Sequence, residues 1–427
     1  MSTVHPAIDL NRDVNVHFED RRRSRIFFAF LWFLYAIVFL TKNCFNAALP
    51  VIVDSGLLTK SQTGLITGLF YLVYTPGQIA GGIVCDKVSP EKLIKFGLLG
   101  GALANGIIFF NQNYHVMLGA WLFNSAAQFA LWPAVFKIVS SQLVSSDRKQ
   151  MIFFLSLASL GGLILSYLLA ALLSDAWLHN FSFSAVSLLL LAIGMHLMCK
   201  WANPYLKWDP PKKIAPDLNH PGTQMSTVRL FASSGFFFVL CGSFLSVIVT
   251  QSNSSLASVI LMENYEDISP AIGNLLSTFL QLSGLAGTLF AHFIVVRRIK
   301  NHPNANALFL LLVLPFCALF PMVGHIPAAT MVVLMCVISC MAYITTLIRN
   351  NYSAIFVKYG KSGAAAGIMN ASVSVSYMLA AYVIPLIQEQ IGWTRTLVIW
   401  PILLAMSAPL FLLAGRQFSK FLKLSQN

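Results

Sequence analysis

A chain of 427 residues that is 57% hydrophobic and 10% charged, with a mean hydropathy of +0.72, has too little polar surface for a water-soluble globule. It reads as a polytopic membrane protein. Its net charge of +13 then belongs to topology and to anionic lipid, not to nucleic acid.

A spanning helix needs about 20 mainly apolar residues, and lipid-facing backbone must satisfy its own hydrogen bonds, so each apolar run predicts a helix. Twelve such runs follow one another, at 26–53, 61–85, 93–111, 115–141, 151–173, 182–201, 230–262, 271–296, 307–324, 329–357, 364–388 and 395–414. The arginine-rich start (Arg12, Arg21, Arg22, Arg23, Arg25) leads straight into the first run with no small-residue cleavage site. This predicts a cytoplasmic N-terminal tail, residues 1–25, and no cleaved signal.

Inside the first run, FLTKNCFNAALP places Lys42 roughly 24 Å from Ile26 and roughly 16 Å from Val53 at the helical rise, too deep for its stem to reach the headgroups comfortably. The second run carries Tyr74 and Gln78 and ends in GGIVCDKVSPEK, with Gly82, Asp86 and Lys87 at the loop. The fourth contains QFALWPAVFK, with Gln128 and with Lys137 roughly 9 Å from Leu143. Glycine pairs such as Gly100 with Gly101 and Gly161 with Gly162 predict close helix packing.

After six runs comes NPYLKWDPPKKIAPDLNHPGTQ, a composition that does not pack. It predicts a cytoplasmic linker, 202–228, between a first bundle at 26–201 and a second at 229–414, followed by a cytoplasmic tail at 415–427. The seventh run holds the polar stretch TQSNSS, with Thr250, Gln251 and Asn253; its hydroxyls could simply bond back to the preceding turn, whereas the two amides are harder to explain that way. The tenth contains Arg349, roughly 12 Å from Val357, and the eleventh Asn370. The seven cysteines lie in or at the ends of runs, which predicts neither a disulfide framework nor a metal site. His196 and His292 fall near helix ends and read as interfacial rather than as proton relays.

Threading the chain this way puts 23 of the 28 lysines and arginines on one side and only Lys60 and Arg395 on the other, which predicts both termini in the cytoplasm. Three cations remain within the spans: Lys42, Lys137 and Arg349. All fifteen carboxylates fall in tails, loops or span ends. Intramembrane charge is costly and normally has a partner, so the inferred partner is an anionic ligand.

Gly82, Asp86, Lys87 and Lys92 resemble the major facilitator loop motif, G-x-x-x-D then R or K with further basic residues. TKNCFNAALP, QFALWPAVFK and GAAAGIMNASVSVSYMLAAYVIPLIQEQIGW resemble, in order, the organophosphate:phosphate antiporter family within that superfamily. The resemblance implies an all-α membrane protein of twelve transmembrane helices in two pseudo-symmetric six-helix bundles. It also implies a central cavity lined by helices 1, 4, 7 and 10 and opened alternately to each side, with Gly82, Asp86 and Lys87 in conformational control. Members that carry phosphate esters have an arginine just before the helix 1 lysine, another in helix 7 and a lysine in helix 2. Here those positions are Thr41, Thr250 and Gln78, although Tyr74 survives. Arginine binds phosphate bidentately and lysine cannot copy that geometry, so a phosphate monoester is not the default expectation; lysine plus amide and hydroxyl donors suits a carboxylate, a sulfonate or a phosphate held differently.

The expected function is secondary transport of a small organic anion by exchange, with substrate contacts from Lys42, Lys137, Arg349, Tyr74, Gln78, Gln128, Thr250, Asn253 and Asn370. A proton-coupled exporter is the alternative carrier, though no carboxylate lies within the spans to serve it. A membrane sensor of an organic anion is the alternative class, though short tails and linker leave little cytoplasmic surface. No nucleophile, base and acid converge, so no enzyme is expected. The expected partners are the anionic substrate, a counter-transported anion and the lipid bilayer, with no nucleic acid, cofactor or metal and with a monomeric chain in the cell membrane.

Overall fold

Apolar runs of this length leave the backbone only itself to bond to, and in the computed structural model they are helical over most of their extent. The structure describes residues 16–208, 226–299, 301–359 and 361–424. In chain order come β1 (Val16–Phe18), α1 (Arg21–Asp54), α2 (Lys60–Lys87), α3 (Pro90–Phe110), α4 (Tyr114–Gln128), α5 (Leu131–Ser141), α6 (Arg148–Leu172), α7 (His179–Ala202) and β2 (Leu206–Trp208). There follow α8 (Thr227–Ser234), α9 (Phe236–Asn264), α10 (Pro270–Phe290), α11 (Val296–Arg298), α12 (His302–Cys317), α13 (Ala328–Ala354), α14 (Ser362–Met378), α15 (Ile384–Thr396) and α16 (Ile399–Leu424). Among the described residues eleven spans are long and apolar enough to cross a membrane, and α2, 28 residues long, covers the second expected run.

Several boundaries differ from the sequence reading for backbone reasons. The run expected unbroken at 115–141 is interrupted between α4 and α5, where Pro133 has no N–H for the Phe129 carbonyl, and where Phe129 and Ala130 press on Gly77 and Gly81 of α2. The run expected from 230 starts at Phe236, because Gly235 (φ +80°) closes α8 in the left-handed region and sits against the Ala414 carbonyl. The run expected to stop at 388 passes through a π turn, Leu379–Val383, and its helix breaks at Gly392 (φ +76°), within the span of α15 and a few residues beyond the expected stop; Pro385 cannot donate to the Ala381 carbonyl, and the wider turn absorbs the mismatch. The expected tail at 415–427 is helical as far as Leu424. Most of the expected linker, 209–225, lies outside the described residues, but its start is ordered as β2.

The chain forms two compact units that do not follow chain order alone. The first takes α1 as far as Cys44, α2 from Val73, α3 to α5, α6 as far as Ser166, and α7. The second takes α1 from Phe45, α2 as far as Leu72, α6 from Tyr167, and α8 to α16. The physical reason lies in what Phe45–Leu72 touches within that second unit. Asn274 donates to the Ala47 carbonyl at 2.9 Å, Gly64 lies against the Ala381 carbonyl so closely that any Cβ would collide with it, and the rings of Tyr71 and Tyr377 meet edge to face.

Within the first unit, β1 pairs antiparallel with β2, Phe18 opposite Leu206. Phe18 is buried against Phe27, Lys207 pairs with Glu19 at 2.7 Å, and the Arg23 guanidinium lies 3.7 Å over the Tyr205 ring. Nearby, the Asp147 carboxylate accepts from Arg21 at 2.7 and 2.8 Å and from Arg25 at 3.2 Å. The hydrogen bond from Arg21 leads in holding the carboxyl down to about 2. A depressed carboxyl pKa stabilises the fold above the unfolded value, and that contribution disappears as pH falls through the folded one. Asp147→Asn is therefore expected to lower the melting temperature at neutral pH, with the gap from wild type closing between about pH 4 and pH 2; thermal unfolding of the two proteins across that range checks it.

Candidate functional site

Lys42 lies on α1 in the first unit and is buried, 9% exposed. Its ammonium donates to the Tyr74 hydroxyl at 2.7 Å and stands 4.4 Å from the centre of the same ring. No carboxylate among the described residues pairs with it. A lysine at mid-membrane depth costs about 2.5–3.5 kcal/mol on insertion scales. A hydrogen bond to a charged group returns about 1.5–3 kcal/mol and a desolvated cation–π contact about 2 kcal/mol. Tyr74 is thus sufficient to hold the charge in place, while its hydroxyl is a far weaker partner than an anion.

The second buried cation is Arg349 of α13, in the second unit and 6% exposed. Its hydrogen bond among the described residues goes from Nη2 to the Thr346 hydroxyl at 3.2 Å. Thr346 in turn lines a cavity open to solvent within that unit, with Val247, Thr250, Gln251 and Ser254 of α9, Ser339, Ala342 and Tyr343 of α13, and Tyr377 of α14. Seven of these nine side chains are polar, so the wall is not a lipid-facing surface.

The TQSNSS stretch divides by residue. Ser252 and Ser255 bond back to the carbonyls of Ile248 and Gln251, the bland outcome for hydroxyls in a helix. Thr250 also bonds back, to Val247 at 3.3 Å, but its side chain faces the cavity, as does Gln251. Asn253 is fully buried and donates to the Met335 carbonyl at 3.0 Å and the Ser339 hydroxyl at 3.1 Å, tying α9 to α13.

Other expected contacts have structural partners. Lys137 donates to the Cys85 carbonyl, joining α5 to α2. Gln128 is fully buried and donates to Asn124 at 2.6 Å, one turn earlier on α4, where Gly101 leaves it room. Asn370 is exposed on α14. The side chains of Gln78, Gly82, Asp86 and Lys87 lie outside the described residues. Lys60 pairs in the second unit with Glu263 at 2.8 Å, and the same carboxylate accepts from the Trp393 indole at 2.8 Å; both charges are therefore spent locally. Among the described residues no group of three or more histidine, cysteine or acidic side chains could hold a metal.

Sequence reasoning missed Ser254, Ser339, Tyr343, Thr346 and Tyr377. The signal was present: residues 339, 343 and 346 of α13 and 247, 250, 251 and 254 of α9 recur at helical spacing on one face.

The chain matches proteins of related design. It is 26% identical over 198 residues to the membrane sensor protein UhpC of Salmonella typhimurium, covering 46% of this chain and 43% of that protein. It is 27% identical over 128 residues to a protein of Chlamydia pneumoniae named as a probable hexose phosphate transport protein, covering 30% and 28%. The matched segments span less than half the length of either relative. The fold matches the crystal structure of a bacterial homolog of the human lysosomal transporter Spinster, with a TM-score of 0.74 at 15% identity over 94% of this chain and 98% of that one. With the Major Facilitator Superfamily model matching residues 31–381, and with a fold shared over nearly the whole chain, the chain belongs to the major facilitator superfamily.

Proposed function

We propose that the protein is a secondary carrier of a small organic anion and that it works by exchange. The observation that carries this reading is that Lys42 and Arg349 are both buried with no carboxylate paired to either among the described residues. Burying an unneutralised charge is expensive, so a carrier with such cations reorients readily when an anion accompanies them and poorly when empty. The names of the relatives, a hexose phosphate transport protein among them, support an anionic cargo. The excess of cations on one side of the threaded sequence supports cytoplasmic termini in the cell membrane, and the chain is taken as a monomer.

The test is counterflow in proteoliposomes. Preloading with unlabelled substrate or with a second anion is expected to accelerate labelled uptake at least tenfold, whereas an imposed pH gradient changes it little. Concentrative uptake into unloaded vesicles driven by protons would overturn exchange in favour of proton coupling. The relative named as a membrane sensor motivates one other reading, binding without transport; saturable binding with no counterflow would establish it.

A further inference from the structure

The cavity wall on α9, α13 and α14 has a hydrogen-bonding pattern that an anion alone does not need. Ser254 accepts from the Gln281 amide at 3.2 Å and Thr346 accepts from Arg349, so each keeps its own proton for the cavity. Ser339 likewise accepts, from Asn253. Tyr343 gives its proton to Gln281 at 3.2 Å and Thr250 gives its proton to the Val247 carbonyl, so each offers the cavity an acceptor oxygen. The Gln251 carboxamide and the Tyr377 phenol, which can both give and take, form no hydrogen bond with a described residue.

A carboxylate or phosphate oxygen accepts only and would be served by donors. A hydroxyl gives and accepts at once from a single atom. A wall alternating donors, acceptors and dual groups therefore matches a run of hydroxyls on adjacent carbons, and the Tyr343 and Tyr377 rings in the same wall suit the C–H faces between them. Beside the cavity stands one guanidinium, that of Arg349, hydrogen-bonded to the lining residue Thr346, and no arginine is among the described lining residues. One guanidinium matches one carboxylate bidentately.

We propose that the substrate is a polyhydroxy carboxylate, its hydroxylated body read by Gln251, Ser254, Tyr343 and Tyr377. This rests on the carrier reading above and narrows it to a class of cargo.

The test compares carboxylates matched in chain length: glycerate with propionate, threonate with butyrate, gluconate with hexanoate, with sorbitol and glucose 6-phosphate alongside. Titrations use the purified full-length protein in lipid nanodiscs. At least one hydroxylated acid is expected to bind about tenfold or more tighter than its hydroxyl-free partner, sorbitol to bind poorly, and glucose 6-phosphate to bind more weakly than the preferred acid. Tyr377→Phe and Gln251→Leu are each expected to weaken the hydroxylated acid roughly tenfold while leaving its hydroxyl-free partner unchanged. A structural role would move both members of a pair together. Equal binding within every pair, equal losses in the variants, or tighter binding of glucose 6-phosphate would overturn the assignment. Counterflow of the same acids separates the two levels: exchange without preference for hydroxyls refutes this inference alone, and selective binding without exchange refutes the carrier reading alone.

Discussion

Lys42→Gln is expected to reduce saturable anion uptake about a hundredfold or more while the protein still folds. Losing a charge-assisted contact removes about 1.5–3 kcal/mol, and loss of the Coulomb attraction that a desolvated anion feels adds to it. Stability should move little, because the cost of burying the ammonium and the return from Tyr74 nearly cancel in the wild type and both vanish together. Tyr74→Phe provides the contrast. It keeps the ring beneath the ammonium and removes only the hydroxyl acceptor, so its uptake should stay well above that of Lys42→Gln. Initial rates in proteoliposomes, with melting curves of the same preparations, check both variants. Wild-type uptake in Lys42→Gln would show that the substrate does not use this cation.

Thr250→Arg is expected to shift preference toward phosphate monoesters, improving their binding about tenfold or more. Thr250 faces the cavity on the wall that also carries Thr346, the hydrogen-bond partner of Arg349, so the new guanidinium adds a planar fork where phosphate oxygens can be met bidentately. The neighbouring difference from the phosphate-ester carriers cannot be reversed in the same way. Thr41 is fully buried, with its hydroxyl on the Val38 carbonyl at 3.0 Å, and an arginine there would be forced into packed helix; Thr41→Arg should fail to fold. Titration of glucose 6-phosphate into Thr250→Arg and wild type reads the effect, and unchanged affinity would remove Thr250 from the binding surface.

Hydropathy made the helices legible because each span satisfies its backbone locally, so no knowledge of neighbours was needed. Breaks were less legible. Pro133, Gly235 and Pro385 were visible as residues, yet whether a proline kinks, interrupts or widens a helix depends on what packs beside it, as Gly77 and Gly81 do beside Phe129. The partition of α1 and α2 between units was hidden altogether, since it follows from contacts such as Asn274 with Ala47 that are 227 positions apart. At the site, depth along the helix identified Lys42 and Arg349, because burial of a charge is a one-dimensional property in a membrane. Depth also set Lys137 as the shallowest of the three, but not its acceptor, a backbone carbonyl that leaves no mark in the sequence. Gln128 had its partner one turn away at Asn124, and the cavity-facing polar stripe of α13 was legible only to a search for uncharged groups at helical spacing.

The ribbon joining β1 to β2 also constrains the order in which the protein can be made. Strand β1 leaves the ribosome before any of the described helices, whereas β2 follows α7. Closing a chain of that length from the unfolded state would cost about 4–5 kcal/mol, more than three residues a side can return. The ribbon must therefore close after α1 to α7 have inserted and brought its ends together. During synthesis the first strand waits unpaired until the helices of the first half are in place. A nascent chain with a misinserted helix among them would leave that edge open.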